Sequence, residues 1–376
     1  VRHYLDHAAT APLRPAAARA LADALGQVGN PSSLHASGRA ARRLLEEARE
    51  SVAADLGASP SEVVFTSGGT EADNLALLGS AGDAGRLLVS AIEHPAVAGV
   101  RERLPGRVDV LAVGADGYLD PAGLAGVLLP GGASGPGTAV VSVMWVNNET
   151  GAVQPVAEFA GRCAAAGVLF HTDAVQAVGH VEVDFADVGA DLLSVSAHKV
   201  GGPVGIGALL VRRGVRLRPS GFGGGQEARL RSGTVGVALA AGFAAALREA
   251  IAELPAEAVR LGALRADLLA GLVAVPGVAA SVAGPVSPAI AHVVVEGTRA
   301  DDVLLLLDAA GIDCSTGSAC TAGVHQPSEV LLAMGRDRAS ASAALRFSFG
   351  PGSGPDAVAA VLAAFPEAVR RARLAA

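Results

Sequence analysis

The sequence predicts an α/β protein: a mainly parallel sheet held between helices, followed by a smaller α/β unit. Three observations carry that prediction. Between about residues 37 and 280, short apolar runs alternate with helical patterns. The runs are almost continuously hydrophobic, as expected of strands buried on both faces. Beyond about residue 235 the composition shifts to long alanine- and leucine-rich stretches.

Taken in order, Ser37 to Leu56 has the period of an amphipathic helix, and Gly57 supplies its stop. Glu62 to Thr66 reads as a strand leading into a helix over Gly69 to Leu78. Arg86 to Ile92, Val108 to Ala112 and Ala139 to Trp145 are apolar runs of strand length. Val156 to Ala166 reads as a helix and Val168 to Thr172 as a strand, with further strands at Leu192 to Val195 and Ile206 to Val211. Short strands near Ile290 to Val295 and Ala344 to Phe349 belong to the smaller unit, closed by a helix over Pro355 to Arg373. The glycine-rich stretches Gly131 to Gly137 and Gly350 to Pro355 are surface loops, too short for linkers. In a parallel sheet, ligands bind beyond the carboxyl ends of strands, so polar residues there are the candidates for function.

Composition narrows the class. The 376 residues are 51% hydrophobic, but alanine carries much of that. The most apolar stretch, Val235 to Leu247, is closed by Arg248 and Glu249, far short of the roughly 20 residues a membrane span needs. No charged-then-apolar leader opens the chain, so a soluble, cytoplasmic protein is expected. A formal charge of −7 argues against indiscriminate nucleic-acid binding. Three cysteines, Cys163, Cys314 and Cys320, cannot all pair internally, which makes a free thiol worth examining.

Lys199 is the single lysine, beside 28 arginines. Arginine stays protonated, whereas a lysine can be stripped to a neutral amine that attacks a carbonyl. Thr66-Ser-Gly-Gly-Thr70 joins a strand to a helix and offers backbone N–H groups suited to phosphate. Asp173 closes a strand three residues before Gln176, where it could equally cap a helix. His94 and the run Asn147-Asn148-Glu149 follow other strands. Arg346 lies inside a strand, where a charge needs an anionic partner or an exposed edge. A lysine for a Schiff base, an aspartate for a pyridinium, a helix start for a phosphate and a flat ring for stacking together suit pyridoxal phosphate. Cys320, flanked by glycine and serine, reads as an exposed, reactive thiol. Cys314, Cys320 and His325 fit no common zinc spacing.

These residues resemble the cysteine desulfurases, class V aminotransferase-like members of the fold-type I pyridoxal-phosphate enzymes. The resemblance rests on Tyr4-Leu-Asp-His-Ala-Ala-Thr10, Gly29-Asn-Pro-Ser32, Phe65 to Asn74, Glu93-His94, Val146 to Glu149, Asp173 to Gln176, Ser196 to Lys199, Arg231 to Thr234, Ser318 to Cys320 and Arg346 to Ser348. The segment after Cys320 is similar to that of the branch with the longer cysteine loop.

The resemblance implies a seven-stranded sheet in a large domain over residues 14–254, with residues 1–13 and 255–376 forming a small domain that carries the cysteine loop. It implies that Lys199 holds the cofactor, Asp173 pairs with the pyridinium, His94 stacks on the ring and Gln176 meets the phenolic oxygen. Gly69, Thr70, Ser196 and His198 would bind the phosphate, with Thr234 reaching it from the other subunit of a homodimer. Asn148 and Arg346 would grip the carboxylate of L-cysteine, and Cys320 would receive its sulfur as a persulfide. The cargo would pass to an acceptor protein, in iron–sulfur assembly, tRNA thiolation, DNA phosphorothioation or thiocofactor synthesis. No metal, direct nucleic-acid or membrane binding is implied. A selenocysteine lyase or an aminotransferase of the same superfamily is the alternative. Val204 stands where many relatives have a second lysine, and Gln226 where others have histidine.

Overall fold

A computed structural model describes residues 2–128, 137–219, 221–317 and 326–375. In chain order the strands are β1 (His3–Tyr4), β2 (Val63–Thr66), β3 (Arg86–Ser90), β4 (Val108–Leu111), β5 (Thr138–Ser142), β6 (Leu169–Asp173), β7 (Leu192–Ser196), β8 (Gly207–Val211), β9 (Val278–Ala280), β10 (Ile290–Val295), β11 (Ile312–Asp313) and β12 (Ala344–Ser348). The longer helices are α1 (Pro15–Leu25), α2 (Ala36–Asp55), α3 (Gly69–Ala81), α4 (Val156–Ala166), α5 (Val237–Val273), α6 (Ala300–Ala309) and α7 (Pro355–Ala375).

Seven strands make the central sheet in the order β2-β8-β7-β6-β5-β3-β4. Strand β8 runs antiparallel to both its neighbours, and every other pairing is parallel. The apolar runs read from the sequence are these strands, but a continuous apolar run carries no mark of direction. The parallel strands therefore end along one edge, with Thr66, Ser90, Ser142, Asp173 and Ser196 as their last residues. Pairing sets Asp173 opposite Ser194 and His171 opposite Ser142, which aligns the polar ends of β5, β6 and β7.

The core under this edge contains Phe65, Phe159, Phe170, Phe185 and Phe243, all fully buried. The rings of Phe159 on α4 and Phe170 on β6 lie 6.5 Å apart. Burying each such ring is worth about 1.5–3 kcal/mol, enough to hold β6 in place. Helix α4 stops at Gly167, whose φ of +68° is open to glycine at little cost.

A second core gathers Leu5, Leu268, Leu272, Phe347, Phe349 and Phe365. It packs against the antiparallel sheet β12-β10-β9, and β1 joins it by pairing in parallel with β11. The sequence suggested several helices after residue 235. The first of them, α5, is a single helix of 37 residues with Pro255 inside it. Its Ala240–Ala250 half lies in the first core and its Leu261–Leu272 half in the second. No helix among the described residues is long and apolar enough to cross a membrane. Residues 131–136 of the first glycine-rich stretch lie outside the described residues.

Gly207 lets β8 start directly beneath the turn that opens α3. A methyl group there would stand 2.4 Å from the Val195 carbonyl oxygen and 2.8 Å from the Gly68 Cα. Gly207→Ala is expected to destabilise the fold by about 1–3 kcal/mol in urea unfolding, because the crowded atoms are backbone.

Candidate active site

Lys199 ends a short 3₁₀ turn, Ala197–Lys199, directly after β7. Its Nζ donates to the carbonyls of Ala8 at 2.6 Å and Ala9 at 2.9 Å. Burial, and next the Arg346 charge, push its pKa down to about 8, against the pull of Asp173 and Asp6. Gln176 Nε2 donates to the same Ala8 carbonyl at 2.8 Å. The N-terminal segment thus threads between the lysine and the turn after β6.

Asp173 is 5% exposed and accepts from the Val175 N–H at 2.9 Å. Burial raises its pKa, while that N–H, His94 and Lys199 oppose the rise. His94 caps the short helix Pro95–Ala98, its Nδ1 accepting from the Ala96 N–H at 3.1 Å. Burial and Lys199 lower its pKa, although Asp173 resists, so the ring is neutral with its proton on Nε2.

Behind Asp173 lies a polar column that sequence reasoning missed. His171 is fully buried between Ser142 Oγ at 2.8 Å and Ser194 Oγ at 3.0 Å. Asp73 Oδ1 stands 3.5 Å from His171 Nε2. Burial pushes His171 down to about 3, so this is no ion pair. Burial, then Asp173, raise Asp73 well above the carboxylate range, and burial lifts Glu93 to about 8. Of these three carboxyls, Asp173 alone has Lys199 as a neighbouring cation opposing its burial. The alternation of the strands signals buried positions, but not which buried polar groups will meet.

The α3 N-terminus forms a cup. Gly68 has a φ of +155° and no side chain caps the helix, so the first-turn N–H groups of Gly69 and Thr70 are open. A methyl on Gly69 would stand 2.7 Å from Val175 Cγ2, so the close approach to the turn after β6 requires glycine. Ser196 Oγ lies 3.7 Å from the position a Gly68 Cβ would take, on the cup's wall. His198, with its Nδ1 3.2 Å from Thr10 Oγ1, is pushed down to about 4 by burial and Lys199. Thr234 is not brought into this cup. It is exposed and lines a separate groove of about 730 Å³ with Arg49, Gln226 and Glu227.

Arg346, 4% exposed on β12, donates Nη1 to the Asn148 carbonyl and Nη2 to Asp6, both at 2.7 Å. Its Nε is buried without a partner. Asp6 sits in a motif visible in the sequence, but its grip on Arg346 joins positions 340 residues apart. Cys320, Ser318 and His325 lie outside the described residues. The residues that flank that segment meet Glu149: Ser328 Oγ donates to its Oε2 at 2.5 Å, and Gly317 lies against its Cβ and Cγ. Cys314 is half-buried, and burial followed by Asp6 pushes its thiol up to about 12, which leaves no thiolate.

The residues present fit pyridoxal phosphate. The open glycine cup suits a phosphate, the neutral His94 ring a stacked heterocycle, the buried Asp173 carboxylate a protonated ring nitrogen, and the near-neutral Lys199 an aldehyde. No cluster of metal-ligating side chains occurs among the described residues.

The folded amine loses its proton near pH 8, and an unfolded lysine near 10.5. Between these values the unfolded chain binds more protons, so this group's contribution to stability improves as pH rises. Condensation of the cofactor-stripped protein with pyridoxal phosphate is expected to slow about tenfold per unit below pH 8 and to level off above it. Stopped-flow absorbance checks this, with Lys199→Arg as the blank.

The sequence matches the family Aminotransferase class-V over residues 3–361. It is 48% identical over 387 residues to an IscS-like cysteine desulfurase of Mycobacterium tuberculosis, covering 99% of this chain and 98% of that protein. The solved NifS-like protein of Rickettsia africae superposes with a TM-score of 0.90 at 29% identity, covering 98% of this chain and 100% of that one. A solved SspA in complex with cysteine superposes with a TM-score of 0.79 at 32% identity, covering 93% of this chain and 99% of that one. With the fold, the site and near-complete coverage in agreement, the chain belongs to the class V aminotransferase family, as a fold-type I, pyridoxal-phosphate-dependent cysteine desulfurase.

Proposed function

We propose that the chain converts L-cysteine to L-alanine and passes the sulfur to Cys320 as a persulfide, with Lys199 as the group that holds the cofactor and moves the proton. The observation that carries this reading is the Lys199 amine, the only ε-amino group in the chain, drawn down to about 8 by burial and the Arg346 charge against the pull of Asp173. The relative solved with cysteine supports the choice of substrate.

Pyridoxal phosphate, when bound, supplies an aldehyde for Lys199 and an electron sink for the substrate's Cα. Asp173 would hold the proton on the ring nitrogen, His94 would stack on the ring and Gln176 would meet the phenolic oxygen. Gly69, Thr70, Ser196 and His198 bind the phosphate. Thr234 reaches it across a homodimer, a reading supported by its exposure on a groove apart from its own cup. Arg346, whose Nε has no partner within the protein, would bind the substrate carboxylate, and Asn148 would assist.

With the substrate bound, Lys199 Nζ would take the Cα proton. The Cys320 thiolate then attacks the substrate sulfur. The sulfur–Cβ bond breaks, its electron pair stays on carbon and is protonated, and alanine leaves. L-Cysteine and one thiol give alanine and one persulfide, so no external oxidant is consumed. The part given to Cys320 rests on its sequence motif and on the relatives.

The persulfide serves an acceptor protein, an iron–sulfur scaffold or a thiolation enzyme, in the cytoplasm. We assign residues 14–254 to a large domain, and residues 1–13 and 255–376 to a small one, supported by the two separate cores. Val204, 73% exposed, removes a cation from the surface that partners would meet.

Cys320→Ser is expected to lower alanine formation from L-cysteine on the order of 10³-fold while retaining the cofactor's visible absorbance. Alanine assay and persulfide labelling check this, and undiminished turnover in the variant would sink the proposal. Lys199→Ala is expected to lose both the absorbance and the activity.

A further inference from the structure

Three consecutive residues, Glu227, Ala228 and Arg229, have φ angles of 41°, 53° and 65°. They are the only non-glycine residues in the left-handed region among those described. L-residues avoid this region, so a run of three persists only where its surroundings over-determine it. The surroundings here are specific. The Glu227 carboxylate, with its side chain 2% exposed, takes both arms of Arg49, Nη1 at 2.8 Å and Nη2 at 2.6 Å. It also accepts the Phe65 backbone N–H at 2.7 Å. Arg49 in turn donates to the Val63 carbonyl at 2.7 Å and lies 4.8 Å over the Phe65 ring. The strained turn is thus fixed to β2, one residue before Thr66 ends that strand.

A second strap ties the loop to α3 and the turn before it. Arg231 Nε meets Glu71 Oε1 at 2.9 Å, while Glu71 Oε2 accepts the Ser67 N–H at 2.5 Å. Glu71 lies in the first turn of α3, and Ser67 in the turn that forms the cup. Around the straps the loop closes on itself: Ser232 Oγ donates to the Gly224 carbonyl at 3.0 Å, and the Gly233 N–H to Gln226 Oε1 at 3.1 Å. Thr234 follows directly. Glu227, on the loop, thus binds the β2 backbone at Phe65 and Arg49 of α2, while Glu71, on α3, binds the Ser67 N–H with one oxygen and Arg231 of the loop with the other.

We propose that Glu227 and Glu71 are positioning residues that make the phosphate cup and the loop bearing Thr234 a single rigid body. Each subunit's own cup then sets the geometry of the threonine that it lends to its partner. The two cofactor sites of the dimer become mechanically linked through charged pairs that touch neither cofactor nor substrate. This rests on the reading that Thr234 serves the phosphate of the neighbouring subunit.

The test separates phosphate binding from general stability. Wild-type, Glu227→Gln, Glu71→Gln, Arg231→Lys and Thr234→Val proteins are stripped of cofactor and titrated with pyridoxal phosphate and with pyridoxal, which lacks the phosphate. Glu227→Gln and Glu71→Gln are expected to bind pyridoxal phosphate about tenfold more weakly, with pyridoxal affinity unchanged. Arg231→Lys, which keeps the charge, is expected to fall between wild type and Glu71→Gln. Equal losses for both ligands, or no loss for either, overturn the proposal. If Thr234→Val weakens pyridoxal phosphate and the two glutamine variants do not, the proposal alone falls. If Thr234→Val binds like wild type, the trans-ligand reading beneath it falls. Should Glu227→Gln fail to fold, Glu71→Gln carries the same comparison.

Discussion

Burying a carboxylate is unfavourable by several kcal/mol unless a cation or donors face it, and the Asp173 carboxylate sits under that constraint at the end of the central strand β6. Its neighbours Asp73 and Glu93 are buried too, and three such groups this close do not all stay ionised. The fold resolves the conflict by position. Burial lifts Glu93 to about 8, and burial, then Asp173, raise Asp73 well above its ordinary value, so both favour the neutral form. Asp173 differs from both in having the Val175 N–H, His94 and Lys199 to favour its charged form against burial. The strand order delivers this arrangement, because β5, β6 and β7 end together with their polar residues in register.

The other half of the site depends on chain segments that meet only through tertiary structure. Toward Arg346, Lys199 and Gln176, residues 6–9 present acceptors: the Asp6 carboxylate holds Arg346, and the Ala8 and Ala9 carbonyls hold Lys199 and Gln176. Pairing of β1 with β11 and burial of Leu5 in the second core keep this segment in place. Glu149 extends the same logic. It follows Asn148 directly, and its carboxyl and side-chain carbons contact residues on either side of the Cys320 segment.

Much of this was legible in the sequence, for stateable reasons. Continuous apolar runs marked the strands because both faces of the sheet are covered. Lys199 stood out because arginine had replaced lysine everywhere else. Asp173, His94 and the Gly68–Thr70 turn could be found because strand ends are where such folds bind ligands. The antiparallel direction of β8 was not legible, since hydrogen-bond direction leaves no mark on an apolar pentapeptide. Nor were the Ala8 and Ala9 carbonyls, because a backbone acceptor has no residue type. The polar column from Ser142 through His171 to Asp73 escaped notice because each member is an ordinary residue, and only the register of β5, β6 and β7 brings them together.

Helix α5, about 55 Å long at 1.5 Å per residue, passes from one core into the other without a break in the chain of turns. It serves as a wall for both compartments. Stripping the second core from it would bare Leu261, Leu264, Leu268 and Leu272 to water, and stripping the first would bare Phe243, Leu247 and their alanine neighbours. Neither compartment can therefore be lost in isolation without leaving half of an apolar rod in solvent. The two compartments are thus expected to melt together, so that the site at the sheet edge draws on leucines packed in the second core.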